Sequence, residues 1–314
     1  MELPTVFATS NAELFAKGAV HILSEIPCIT HLSFGAESPD VNTFLIAAKL
    51  LNDEPSDVSA KIKTLMQEGV GHAKAFATAW EDKIPADLLS SPNNILGVEY
   101  TKALLLKNTD IQILPIQRIG SDYNDTVLQE EFSSATAIRH AIQKGEKTNN
   151  CLPDFVLNDL QPQSQKLLDV LEKHAILSTP LEEIKGVCDC TEGLEFAFKK
   201  AAELGELLEN TLTSARYTSA RIRRIALQNL LKIKENSIRE SLCSPLYLHV
   251  LAAKKCRNDV LSALSESNAP LIIRAHDEEK LSATAKACFN LDIYAEKIYT
   301  LLNNGQPKEK RLFI

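Results

Sequence analysis

The chain has 314 residues, 45% of them apolar and 24% charged, and its 34 basic and 41 acidic side chains give a net charge of −7. That length is ample for two cores, and no apolar run approaches the roughly 20 residues a membrane helix needs. The start M-E-L-P-T-V-F carries an acid where a signal peptide would have lysine or arginine, so a soluble, mixed, cytoplasmic protein is expected.

In chain order, Ser10 to Ile26 has the start and period of an amphipathic helix, with Ser10 as cap and Leu14, Phe15, Ala19, Ile22 and Leu23 on one face. Cys28 to Phe34 reads as a strand. Gly35 follows at its end, either as a turn glycine or as a place where a side chain would block a ligand. Helical patterns fill Asp40 to Tyr100 with short breaks. One break, Gly69-Val70-Gly71-His72, follows K-I-K-T-L-M-Q-E and reads as a helix C-terminus with a solvated histidine rather than a phosphate-binding histidine loop. Another, Pro92-Asn93-Asn94, precedes a helix over Ile95 to Leu106. Capping explains one asparagine and leaves the other free to reach a base or ribose.

Asp110 to Arg118 (D-I-Q-I-L-P-I-Q-R) alternates apolar and polar residues, as a strand does, and places Arg118-Ile119 at its carboxyl end, where open α/β sheets bind ligands. Tyr123 follows in a polar loop as the one polar aromatic near that end. In S-S-A-T-A-I-R, Ser133 or Ser134 caps a new helix whose free N–H groups are a seat for phosphate, with Arg139 near the same end; an ordinary amphipathic helix is the plainer reading. Strand, loop and capped helix make a βα unit.

From about Cys151 the strand signals fade, and helices are predicted over Gln163 to His174, Thr191 to Leu204, Thr218 to Lys234, Pro245 to Lys255 and Glu278 to Leu302, with Pro270 to Ile273 a strand or buried connection. The tail Asn303 to Arg311 reads as loose. Between Thr211 and Lys234 stand six basic residues, Arg216, Arg221, Arg223, Arg224, Lys232 and Lys234, and no acid. Arg221 and Arg224 share a helix face and can meet successive phosphates, while Tyr217 offers a ring or a hydroxyl, which points to RNA. Pairing with carboxylates such as Glu206 and Glu209 is the bland alternative. The seven cysteines are scattered and odd in number, as reduced thiols are; Cys188-Asp189-Cys190 is half a zinc site at most, so no metal site is assigned.

Seven stretches in this order, L-P-T-V-F-A-T-S-N-A-E-L-F-A-K-G-A-V from Leu3, F-G-A-E-S from Phe34, S-P-N-N-I-L-G-V-E-Y from Ser91, R-I-G-S-D-Y-N-D from Arg118, S-S-A-T-A-I-R from Ser133, T-E-G-L-E from Thr191 and R-Y-T-S-A-R-I-R-R from Arg216, resemble the tRNA(Met) cytidine acetate ligases, members of the nucleotidylyltransferase superfamily with the H-x-G-H signature. The resemblance implies an α/β fold in which residues 1–145 are an incomplete Rossmann-like nucleotidylyltransferase domain and residues 146–314 a mostly helical tRNA-binding domain. It implies ATP contacts at Gly35, Asn93, Arg118 and Ile119, with Mg²⁺ as companion of ATP, and tRNA contacts at Arg216, Tyr217, Arg221, Arg223 and Arg224. The reaction implied is acetate plus ATP to acetyl-adenylate, then acetyl transfer to N4 of the wobble cytidine of elongator tRNA(Met). Met1-Glu2-Leu3-Pro4 resembles an interior stretch of the family, so the first strands and the H-x-G-H loop are expected to be missing. A non-catalytic tRNA-binding protein and an adenylyltransferase acting on a small metabolite are the alternatives.

Overall fold

The computed structural model describes residues 1–119, 127–128, 132–146, 148, 151–153, 156, 163–254, 256–303 and 312–313. Tyr123 and most of the tail Asn303 to Arg311 lie outside them. No helix among the described residues is long and apolar enough to cross a membrane.

Strands β1 (His31–Ala36) and β2 (Gln112–Gln117) pair in parallel, from His31↔Gln112 to Ala36↔Gln117. The alternation read in β2 is real: Ile113 and Pro115 point inward, whereas Leu114 and Ile116 are exposed. The inner face packs on the Pro92–Lys107 helix, which also holds the Ala12–Leu23 and Val41–Asn52 helices. Around it Val20, Ala36, Phe44, Trp80, Val98, Leu104 and Ile113 form one apolar cluster. The break at Gly69 is a helix end, as expected, with φ +88° after the Ser56–Gln67 helix; His72 opens the next helix, His72–Trp80.

A second cluster joins Val6, Phe7, Ile22 and Ile26 to Leu230, Leu246, Tyr247, Phe289 and Leu302, so the first 26 residues share a core with the far end of the chain. The Thr5–Ala8 helix is fixed there, since Asp292 Oδ1 accepts from the Thr5 N–H at 2.7 Å and its Oδ2 accepts from the Tyr247 hydroxyl. That turn also explains why Ser10 is not the cap of the following helix. The Ser10 hydroxyl donates back to Val6 O at 2.8 Å, and Asn11 caps instead, its Oδ1 accepting from Leu14 N at 3.0 Å. A third cluster, Ile176, Ile184, Leu194, Phe198, Ile222 and Ile225, binds the Gln165–Ser178, Leu194–Glu203 and Ser219–Leu230 helices.

The helix predicted over Pro245 to Lys255 is not there. Its described residues contain β3 (Leu248–His249) and β4 (Ala252–Ala253), and β5 (Leu271–Ile272) lies parallel to β3 while β4 pairs with β6 (Leu312–Phe313). A short apolar run has no period that separates strand from buried helix, and the partner strand decides: Leu248 N donates to Pro270 O at 2.8 Å and Val250 N to Ile272 O at 3.0 Å. Of the two readings of Pro270 to Ile273 the strand is the one found, confined to Leu271–Ile272. The last long helix starts at Ala283, behind a 3₁₀ turn over Ala275–Lys280.

Glu172, on the Gln165–Ser178 helix, is pushed up to about 8 from its ordinary 4.5 by burial and then by the charges of Asp169 and Glu209. The folded state therefore binds its proton more tightly than the unfolded chain. Below pH 4.5 both states are protonated; between that value and 8 stability falls as pH rises, and above 8 the whole cost is present. Glu172→Gln is expected to raise stability at pH 8.5 by about 1–3 kcal/mol, discounted for partial exposure, and to leave it unchanged at pH 4. Parallel urea titrations of both proteins at the two pH values measure this; an equal gain at pH 4 would refute it.

Candidate functional site

At the carboxyl ends of β1 and β2 the chain builds a small polar assembly. Arg118 N donates to Ala36 O at 2.9 Å, and Gln117 Nε2 to Glu37 O at 2.9 Å. Gly35 sits on the exposed face beside Arg118: a Cβ there would meet Arg118 Cγ at 3.3 Å, so the missing side chain leaves room for the arginine. Gly35 is the fifth of six strand residues, one earlier than a strand-end turn glycine would be. Ile119, 74% exposed, continues past the strand end.

The asparagines do something other than cap. Ser91 occupies the N-cap position without a side-chain bond, Pro92 opens the helix, and Asn93 and Asn94 lie within its first turn. The cap comes from the residue just past β1: Glu37 Oε2 accepts from Asn94 N at 3.1 Å and Oε1 from Asn93 Nδ2 at 2.7 Å. In return the fully buried Asn94 accepts from Glu37 N at 2.9 Å and donates to Asp87, whose carboxylate also takes the Ser38 hydroxyl. A carboxylate at a helix N-terminus is favoured by the free N–H groups and the helix dipole. Sequence reasoning missed Glu37 and Asp87, although Glu37 stands two residues after Gly35 in the quoted F-G-A-E-S, and it weighed Asn94 as a cap or a free ligand contact rather than as a buried link to Glu37.

Of the two candidate caps at the later helix, Ser134 serves. Its Oγ accepts from Ala137 N at 2.9 Å at the head of the Ala135–Lys144 helix, and Gly145, at φ 71°, closes the other end. Ser133 lies 3.3 Å from Cys151 Sγ, and Arg139 is exposed. These bonds are local to residues 133–151, unlike the contacts that draw Gly35, Asn93 and Arg118 together.

The basic stretch is a well-partnered surface. Arg216 forks onto Glu192, at 2.9 Å from Nε and 2.6 Å from Nη2, and this bond holds the Glu192 carboxyl below its usual range. Arg221 donates twice to Asp189 O, at 3.0 and 2.7 Å, and once to Thr191; Arg224 reaches Asp189 Oδ2 at 3.3 Å. Both Arg216 and Arg221 lie over the Tyr217 ring, 5.7 and 5.1 Å from its centre, and its hydroxyl donates to Glu192, so ring and hydroxyl are already engaged. Arg223 is the loosest, 3.7 Å from the expected Glu209 and largely exposed. Asp189 also accepts from Asn11 Nδ2, at 3.3 and 3.4 Å, and Gln228 Nε2 donates to Thr9 O at 3.0 Å, so the A-T-S-N stretch abuts the R-Y-T-S-A-R-I-R-R stretch. Next to Asp189, burial pushes the thiols of Cys188 and Cys190 up to about 11 and about 12, keeping them protonated. Among the described residues no group of three or more His, Cys, Asp or Glu could hold a metal ion.

A family model, HIGH Nucleotidyl Transferase, matches residues 1–312. Curated relatives include the tRNA(Met) cytidine acetate ligase of Caldanaerobacter subterraneus, 33% identical over 96% of this chain and 79% of its own length. That of Clostridium perfringens is 32% identical over the same shares. The chain belongs to the tRNA(Met) cytidine acetate ligase family of HIGH nucleotidyl transferases. The fold agrees: a crystal structure of apo Thermotoga maritima TmcAL superposes with TM-score 0.88 at 23% identity, covering 99% of this chain and 81% of that one. A second, bound with alpha-thio ATP, gives 0.86 at 22% identity over 100% and 83%. The resemblance read from the seven stretches and the mixed α/β class are thus both borne out.

Proposed function

We propose that the protein is an ATP-dependent tRNA(Met) cytidine acetate ligase, with nucleotide chemistry in residues 1–145 and tRNA held by residues 146–314. An acetate oxygen attacks the α-phosphate of ATP, pyrophosphate leaves, and acetyl-adenylate forms; N4 of the wobble cytidine of elongator tRNA(Met) then attacks the acetyl carbon and AMP leaves. Such a reaction needs alignment and neutralised charge more than a protein nucleophile. The observation that carries the reading is the convergence of Gly35, Asn93 and Arg118 at the carboxyl ends of the parallel pair. Arg118 and Ile119 border the adenylate, and the helix head at Ser133, Ser134 and Arg139 is a further phosphate seat. Mg²⁺ is the expected companion of ATP and would supply charge neutralisation on the triphosphate.

Incubation with elongator tRNA(Met), ATP and labelled acetate is expected to yield labelled N4-acetylcytidine, and none when ATP is omitted. Binding of tRNA without ATP binding would select the non-catalytic protein; ATP binding without tRNA retention would select the small-metabolite adenylyltransferase. On the arginine surface, Arg223→Glu is expected to weaken filter retention of tRNA several-fold without touching the fold, because its partner is distant and its side chain exposed. The Arg221→Glu, Arg224→Glu pair is expected to abolish retention, and unchanged retention in both variants would end the assignment.

A further inference from the structure

The nucleotide reading leaves open why a glutamate is spent on an asparagine. Both Glu37 oxygens are taken, one by Asn93 Nδ2 at 2.7 Å and one by the Asn94 N–H at 3.1 Å. Those two bonds orient the carboxylate, and the Glu37 backbone is fixed as well, its N–H donating to Asn94 Oδ1 at 2.9 Å and its carbonyl accepting from Gln117 Nε2 at 2.9 Å. A carboxylate accepts only, so the Asn93 amide has one orientation: NH₂ toward Glu37 and Oδ1 away from it. Among the described residues nothing takes that Oδ1, and Asn93 is half-buried beside the strand ends. An oriented acceptor discriminates only against a group with a single sense. A ribose hydroxyl both gives and accepts and would gain nothing from the device; the 6-amino group of adenine only gives, and the 6-oxo group of inosine or guanosine only accepts.

We infer that Glu37 is a positioning residue that fixes Asn93 Oδ1 as the acceptor for the 6-amino group of adenine, and thereby sets the choice of ATP over 6-oxo purine nucleotides. This rests on the nucleotide reading above. Glu37→Gln makes a sharp test. The backbone N–H of Asn94 cannot change sense, so it claims the glutamine Oε1; the new NH₂ then faces Asn93, which must turn its own oxygen inward and present NH₂ to the ligand.

Calorimetric titration with ATP and with inosine triphosphate reads the outcome, and their ratio cancels the effect of the lost charge on the triphosphate. The protein is expected to prefer ATP about ten-fold or more. Glu37→Gln is expected to bring the ratio to about one or invert it, and Asn93→Ala, which leaves the helix cap in place, to bring it to about one. A lower melting midpoint in Glu37→Gln with the ATP preference intact would make Glu37 a helix cap only and overturn the inference while sparing the nucleotide reading. Failure of the unmodified protein to bind either nucleotide would overturn both.

Discussion

Gly18→Ala is expected to destabilise the protein by about 2 kcal/mol or more, although alanine for glycine inside a helix ordinarily gains up to about 1 kcal/mol. Gly18 lies within the Ala12–Leu23 helix, and a Cβ on it would fall 2.1 Å from Phe7 Cγ and 2.6 Å from Phe7 Cβ. The clash is with the root of the ring, not a flexible tip, so no rotamer change relieves it. Nor can the backbone of Phe7 withdraw: Phe7 is fully buried, its short helix is tied at Thr5 to Asp292, and Thr9 O is held by Gln228. The methyl must therefore push apart two helices inside the cluster that joins residues 6–26 to the C-terminal half. Thermal unfolding followed by circular dichroism checks this, and a midpoint equal to or above that of the parent would show that Phe7 yields.

Local signals were legible where the local chain decides. The alternation of D-I-Q-I-L-P-I-Q-R gave β2, Ser134 was one of two candidate caps read from S-S-A-T-A-I-R, and the helix from Thr218 begins with the Thr218 hydroxyl accepting from Arg221 N at 3.3 Å. What escaped depends on partners far along the chain. Leu248–His249 is a strand because Leu271–Ile272 lies beside it, Glu37 caps a helix 57 residues away, and the partners of Arg216, Arg221 and Arg224 come from 24 to 35 residues upstream. A basic count over Thr211 to Lys234 cannot register them. The A-T-S-N stretch was quoted as a motif, and only the fold reveals that it meets the arginine helix through Asp189.

The same non-locality makes Asn94 the more consequential of the adjacent asparagines. Asn94→Ala is expected to cost about 2–3 kcal/mol and to weaken ATP binding about ten-fold or more, whereas Asn93→Ala stays within about 1 kcal/mol of the parent in stability. Asn94 has no exposed surface, and its Oδ1 receives the N–H groups of Glu37 and Ser38 at 2.9 and 3.4 Å while its NH₂ reaches Asp87. Truncation removes the acceptor of the half-buried Glu37 N–H and frees the turn after β1, so the carboxylate that orients Asn93 loses its footing. Asn94→Asp separates the two effects. It keeps an acceptor for Glu37 N but sets a second carboxylate 3.4 Å from Asp87 Oδ2, so it should remain destabilised at pH 7 and recover as acid protonates the pair. Denaturant titrations at pH 7 and pH 4.5, with ATP affinity measured at pH 7, test both statements; an Asn94→Ala protein as stable as Asn93→Ala would mean that this buried amide does not couple strand to helix.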